Sequence, residues 1–342
     1  MSDDIDLVEL RASIRDVLDA EANGERVRRH FNNGALYDEA LSATVASLGW
    51  PGLHIAEADG GLGLGFGALA VLYEELGRGP APLPMLPTLL VAEALSQAPG
   101  EVRAAWLPRI AAGELFAAYA PAAALSGDPL TGTAEHVLDG GAATLFLVGV
   151  GDRRYALVAR GAPGLTIQTT PAVDRTRSLA TLIFDQTPIL PINIDPAMLE
   201  RHAALGIACD SIGGAEAILD KTVEYLKIRT QFGQPIGQFQ ALKHRVADHK
   251  LRLEAARALL SHVLARDGDG ARALGMAALA RATATSAYAA IADDAVQLHG
   301  GIGFTWEHEC HIYLKRAWLN RLIFGSEDAY LDRAATLLSE TA

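Results

Sequence analysis

Apolar residues along this chain recur with two different periods, and the change of period divides it into three stretches. Leu7, Leu10, Ile14, Val17 and Leu18 fall three and four residues apart with charges between them, so residues about 5–21 are expected to form an amphipathic helix. Helical spacing returns at about 36–48, 66–77, 85–97 and 100–112. Between these, Gly49-Trp-Pro-Gly-Leu-His-Ile-Ala-Glu-Ala-Asp-Gly-Gly-Leu-Gly-Leu64 carries too much glycine, with Pro51, for regular helix and predicts an extended loop. Gly77 and Gly79 mark the stop of the preceding helix, and Pro80, Pro82, Pro84 and Pro87 stiffen the connection that follows. From about 115 to 195 the pattern shifts to short runs rich in β-branched and aromatic residues: Leu145-Phe-Leu-Val148, Tyr155-Ala-Leu-Val158, Leu165-Thr-Ile167 and Thr181-Leu-Ile-Phe184. Turn residues at Gly140-Gly141, Gly151-Asp152 and Pro163-Gly164 separate them, as in a small antiparallel sheet or barrel. Asp174, Arg175 and Arg177 read as a solvated strand edge. Helical periodicity then fills about 196–228, 239–267, 271–299 and 327–340, an antiparallel four-helix bundle. Asp195-Pro196 opens it as N-cap and first turn, and Asp267-Gly-Asp-Gly270 is a stop and restart.

The fold class is therefore α+β: a helical domain over 1–114, a middle β-domain over 115–195 and a helical bundle over 196–342. The balance of 50% hydrophobic and 20% charged residues is that of a globular chain. A formal charge of −12, with no run of Lys and Arg, argues against nucleic acid, although one or two local cations still suffice for a phosphate-bearing ligand. Cys209 and Cys310 lie in helical patterns and match neither a disulfide framework nor a metal quartet. The acidic start, Met1-Ser-Asp-Asp-Ile-Asp6, is unlike a signal peptide, and no apolar run reaches membrane-spanning length; a cytoplasmic protein is expected.

The chemistry concentrates in Arg229-Thr-Gln-Phe-Gly-Gln-Pro-Ile-Gly237, between two long helices. An Arg fork binds phosphate oxygens in pairs, a Phe covers an aromatic ring, and glycines let backbone approach a ligand; a plain inter-helix turn has the same punctuation. The end of the helix over 271–299 reads Asp293-Asp-Ala-Val-Gln-Leu-His-Gly-Gly-Ile-Gly-Phe304, where Gln297 offers an amide and Gly300 and Gly301 bare backbone, although glycines there also serve as a helix stop. His299, His308 and His311, with Glu307, Glu309 and Cys310, raise the question of a metal. With His308 and His311 one helical turn apart and no second cluster, the expectation is no metal, the histidines facing a subunit contact or solvent.

The Arg229 stretch resembles the Arg-x-x-Phe-Gly-x-x-Ile/Leu turn of the flavin-dependent acyl-CoA dehydrogenases. The 293–304 segment is similar to that family's Gln-x-x-Gly-Gly-x-Gly element, and Glu57 to Gly63 to its N-terminal Glu-x-x-Gly-Gly-x-Gly. Asp174 to Asp185 resembles the last strands of the middle domain. By that resemblance Arg229, Phe232, Gln297 and Gly301 bind FAD, helped by Gln231, Leu298 and Gly300, with the cofactor shared between subunits of an oligomer. The substrate implied is an acyl-CoA, and the electron acceptor an electron-transfer flavoprotein or similar. The string Phe304-Thr-Trp-Glu-His-Glu-Cys-His-Ile-Tyr-Leu-Lys-Arg-Ala317 is similar to dehydrogenases of steroid side-chain thioesters that assemble from unlike subunits. The chain departs from the family in the middle domain. Its usual Thr/Ser-Glu-Pro-x-Ala-Gly-Ser-Asp loop is replaced by Tyr119-Ala-Pro-Ala-Ala-Ala-Leu-Ser-Gly-Asp128, and the Trp-Ile-Thr-like segment is absent.

The chemistry so implied is α,β-dehydrogenation, in which a carboxylate takes the α-proton. The family's usual Glu position, just before the last helix, holds Phe324 within Ile323-Phe-Gly-Ser326; the alternative position, 26 residues before Arg229, holds Ala203. Glu200 and Asp210 are the nearest carboxylates, though Glu200 also reads as a helix-start acid and Asp210 as a helix-pairing group. Two arrangements follow: a homo-oligomer using one of these, or a mixed tetramer in which a longer family member supplies the base. The alternative to a dehydrogenase subunit is a structural subunit contributing only shared FAD contacts. A related flavin enzyme of the same fold, such as a monooxygenase or nitroalkane oxidase, is a third possibility.

Overall fold

The structure is a computed structural model that describes residues 6–121, 124–151, 154–266 and 270–340. The start Met1 to Ile5, Ala122 and Ala123, the turn residue Asp152, and Asp267-Gly-Asp269 of the expected helix stop lie outside the described residues. The elements run α1 (Leu7–Glu21), α2 (Gly24–Asn33), α3 (Glu39–Ser47), two 3-10 turns (Trp50–Gly52 and Glu57–Asp59), α4 (Phe66–Arg78), α5 (Met85–Ser96) and α6 (Gly100–Ala111). Eight strands follow: β1 (Ala117–Ala120), β2 (Ala124–Ser126), β3 (Leu130–Leu138), β4 (Leu145–Val150), β5 (Arg154–Ala159), β6 (Leu165–Thr170), β7 (Leu179–Thr187) and β8 (Leu190–Ile192). The remainder is α7 (Pro196–Ile228), β9 (Thr230–Gln231), β10 (Gln234–Pro235), α8 (Gln240–Leu264), α9 (Ala271–His299), α10 (Cys310–Asn320) and α11 (Glu327–Glu340). This is the expected order of helical region, β-region and helical bundle. By contact density the described chain forms two compact units, one mainly Arg29–Leu69 and Pro82–His202, the other mainly Val8–Arg28, Ala70–Ala81 and the chain from Ala203 onward.

In the first unit the expected small sheet or barrel is present as two four-stranded sheets, β1-β4-β5-β8 and β2-β3-β7-β6, antiparallel but for one pair. The first contains a parallel pair, β1 with β4, in register Ala117↔Leu145. Both sheets turn residues into one core, including Phe146, Val148 and Val158 from the first and Leu130, Leu182 and Phe184 from the second. Every residue of β4 is buried, which is why it reads as a continuous apolar run rather than an alternating one. Strand β3 escapes the sequence reading because two register shifts break its alternation. The solvated edge expected of Asp174, Arg175 and Arg177 holds only for Arg175. Asp174 and Arg177 are buried, Asp174 accepting the Thr176 amide at 2.9 Å. Pro87 belongs to α5 and not to the connection; at the third helical position its missing N–H is one that a helix leaves unpaired anyway.

In the second unit, α7 to α9 and α11 form the bundle, with α10 as an additional helix. Helix α10 hides from a periodicity reading because two of its six buried residues are Arg316 and Asn320. Helix α4 ends at Arg78, between the two glycines of the expected stop, and Gly77 is also a crossing point. A side chain there would strike the Asp210 backbone of α7, and one at Gly213 would strike the Glu74 carbonyl, so paired glycines bring the two helices together. Charges lock the same crossing: Arg11 donates to Glu74 at 2.7 Å and to Glu75 at 2.8 Å, while Arg257 bonds Glu74 and lies 3.0 Å from Glu216. Among the described residues no helix is long and apolar enough to cross a membrane.

Candidate functional site

Helix α7 ends in a minimal hairpin that displays the first group of predicted residues. Strands β9 and β10 pair Gln231 with Gln234 and Thr230 with Pro235, leaving Phe232-Gly233 as a two-residue tip. Both tip residues have positive φ, 53° and 80°, the backbone of a type I′ turn. Glycine takes that conformation freely, whereas for phenylalanine it costs about 1–2 kcal/mol. The fold nevertheless holds the Phe232 ring out, 90% exposed, with the Phe239 ring 6.0 Å away in an edge contact. Backbone bonds on either side fix the base of the hairpin: Arg229 N–H donates to Tyr225 at 2.9 Å, and Ile236 N–H donates to the Arg229 carbonyl at 2.8 Å. Arg229 and Gln231 are both exposed.

The second group sits at the end of α9. Gln297 is exposed, whereas the Leu298 side chain is taken up by the helical core at 8% exposure. Gly300 has φ 64° and closes the helix, so its backbone alone explains it. Gly301 has no such reason: its φ is not positive, and a side chain there would meet nothing within 4 Å. Internal packing therefore leaves Gly301 unexplained, and the bare backbone suits close approach by a group from outside the chain.

Tyr225, which the sequence reading missed, joins the two groups. Its ring stacks on His299 at 4.4 Å and 25°, and its hydroxyl donates to the His299 carbonyl at 3.2 Å. It lies one helical turn before Arg229, and that spacing was the available signal. Beside the stack, His308 lies 4.6 Å from His299, and Lys221 pairs with Glu309 at 2.7 Å. A cavity of about 410 Å³ is lined by Lys221, Tyr225, Ile228, His299 and His308 among others. Burial holds both imidazoles below the usual histidine range, and pushes the Cys310 thiol up to about 12, with Glu309 adding to the effect. His311 faces elsewhere, its ring 5.1 Å from Trp306.

The carboxylate candidates are not brought to one place. Glu200 is half-buried in the first turns of α7. Asp210 is 2% exposed; Arg316 donates to its Oδ2 at 3.0 Å and Asn320 to its Oδ1 at 2.7 Å, so both oxygens serve as a helix brace. Ala203 is buried. Phe324 has φ 59° in a loop clamped by buried Arg281, which donates to the carbonyls of Asn320 at 3.3 Å, Gly325 at 2.9 Å and Ile323. The Arg281 guanidinium also lies 3.7 Å over the Tyr330 ring.

Comparison with known proteins places these features in a family. Residues 6–114 match the acyl-CoA dehydrogenase N-terminal domain and residues 200–337 the acyl-CoA dehydrogenase C-terminal domain. The chain is 34% identical over 325 residues to the acyl-CoA dehydrogenase IpdE2 of Mycolicibacterium smegmatis, covering 95% of this chain and 96% of that one. Among solved structures it is similar to a variant of the Tcur3481-Tcur3483 steroid ACAD, with TM-score 0.90, 31% identity and 98% of both chains covered. It is also similar to the ChsE4-ChsE5 complex of Mycobacterium tuberculosis, with TM-score 0.90, 25% identity and 98% of both chains covered.

Proposed function

The chain belongs to the acyl-CoA dehydrogenase family, oxidoreductases acting on CH–CH bonds, and from that premise we propose that it is a flavin-contacting subunit that lacks the catalytic base. In this reading it works in a mixed complex with a longer family member, and the complex dehydrogenates a bulky, steroid-type acyl-CoA between its α and β carbons. The observation that carries the reading is the joint loss of both base positions. Phe324 and Ala203 offer a phenyl ring and a methyl group, neither of which accepts a proton, while the Asp210 carboxylate is tied to Arg316 and Asn320. The steroid class is inferred from the likeness to the steroid ACAD, and the mixed complex from that to the ChsE4-ChsE5 complex.

The residues present fit FAD. Arg229 would hold its phosphates by charge-assisted bonds, Phe232 would cover an aromatic ring, and Gln297 would bond ribose or phosphate. The bare Gly301 backbone fits close contact, with Gln231, Leu298 and Gly300 shaping the surround, Leu298 through its packing. FAD, when bound, supplies the hydride acceptor. This chain's own part is to bind and orient: the hairpin presents a cation and a ring on one rigid tip, and the Tyr225–His299 stack fixes that tip relative to the glycine turn. The proton is taken by a carboxylate of the partner subunit. A cytoplasmic setting, an electron-transfer flavoprotein or similar acceptor, and domain boundaries near 114 and 195 complete the proposal.

The test is to express the chain alone and with a longer partner of the family. Alone it should hold little FAD and show no flavin bleaching with an acyl-CoA. Co-expression should restore both, and activity should persist when Glu200→Gln is introduced here. Bleaching by the lone chain that disappears in Glu200→Gln would place the base in this subunit and overturn the proposal.

A further inference from the structure

We propose that His299, His308 and Cys310 form a site for one zinc ion that closes the glycine turn between α9 and α10. The sequence raised these residues only to expect no metal, and the fold draws three of them together. His299 comes from the last position of α9, His308 from the connection and Cys310 from the first position of α10. One ligand atom from each lies within 4.8 Å of the others. Two imidazole nitrogens and a sulfur are the donors that zinc takes in tetrahedral sites, at about 2.0–2.1 Å for nitrogen and about 2.3 Å for sulfur, so the three atoms need to close by only a small movement.

An independent observation points inward. His299 is 3% exposed; its Nδ1 lies 2.8 Å from the Ala295 carbonyl, which fixes a proton there and leaves the lone pair on Nε2. That Nε2 is buried with no hydrogen-bond partner. An imidazole whose far nitrogen is held by a backbone carbonyl while the other is left bare has the orientation of a metal ligand with its supporting bond in place. A cavity lined by His299, His308 and Glu309 among others lies beside the two imidazoles.

Binding has a defined balance. The Cys310 S–H bond breaks, its proton leaves to solvent, and the thiolate forms the bond to zinc as bound water is released. His308 gives up the long 3.3 Å bond that its Nδ1 accepts from the Cys310 amide, whichever ring nitrogen it turns to the metal. His311, one turn from His308, is not part of the set: its Nδ1 lies 3.4 Å from the Lys315 ammonium. The consequence is mechanical. With ligands on both sides of Gly300–Phe304, the ion closes a short loop and immobilises Gly301.

The experiment uses the untagged full-length chain and cobalt(II) as a spectroscopic stand-in for zinc. Titration should give a thiolate-to-cobalt charge-transfer band that saturates near about one equivalent per chain and is displaced by zinc. Zinc, unlike magnesium, should raise Tm. Cys310→Ser and His299→Gln should each abolish the band, and Cys209→Ala, which removes the other buried thiol, should keep it. Absence of any charge-transfer band and of any zinc-dependent Tm shift in the wild-type chain would overturn the proposal even if the variants fail to fold. So would a band that persists in Cys310→Ser.

Discussion

Replacing Asp210 by asparagine separates a structural brace from a catalytic base. The Asp210 and Arg316 side chains are 3% and 1% exposed and 3.0 Å apart, and Asn320 donates to the second carboxylate oxygen at 2.7 Å and to Ser211 at 3.0 Å. Asp210→Asn removes the negative charge and keeps the shape, so a buried guanidinium loses its carboxylate. Breaking such a pair from one side costs about 3–5 kcal/mol, whereas replacing both partners by apolar groups of similar volume is often neutral. Asp210→Asn alone should therefore lower the denaturation midpoint of the helical unit strongly, and Asp210→Leu combined with Arg316→Met should recover most of the loss. Urea titrations followed by circular dichroism on the single and double variants, with unchanged m-values, read the two effects directly. The reasoning fails if Asp210→Asn unfolds at the parent's urea concentration, and fails doubly if that stable variant has lost flavin reduction by acyl-CoA, since the carboxylate would then be the base.

Three other outcomes are expected. Arg229→Ala should weaken FAD binding by about 1.5–3 kcal/mol, roughly 10- to 150-fold, through the loss of a charge-assisted phosphate contact; unchanged flavin absorbance per chain in a folded assembly would refute it. Phe232→Gly relieves a left-handed backbone at a ring that is 90% exposed, so thermal stability should hold or rise by about 1 kcal/mol while flavin affinity falls. Loss of stability with intact affinity would show that the ring packs within the chain. Burial lowers His54 from 6.5 to about 4, so the folded chain resists a proton that the unfolded chain accepts. Its contribution is complete above about pH 6.5 and is lost as pH falls toward 4, about 3 kcal/mol over that window. Buried His202, also lowered, acts in the same direction, and His54→Gln should flatten the dependence of Tm on pH between these limits.

The sequence by itself determined the order of helical region, strands and helical bundle, because apolar period survives wherever an element buries one continuous face. Helices α1, α4, α7, α9 and α11 lie within a residue or two of their expected bounds for that reason. It also singled out the hairpin tip and the glycine turn, since Arg, Phe, Gln and Gly carry their chemistry in their identity. Elements whose inward face is partly polar stayed hidden. Helix α2 buries His30 beside Val27 and Phe31, and α10 buries Arg316 and Asn320. Tertiary structure alone decided three matters. It joined the hairpin to the glycine turn through Tyr225 and His299, which stand 74 positions apart. It made Gly77 a helix crossing as well as part of the stop, because the steric demand comes from a backbone 133 positions away, at Asp210. It turned Asp210 from a candidate base into a brace, since a carboxylate's role depends on which donors face it, and Arg316 and Asn320 arrive only when α10 packs against α7.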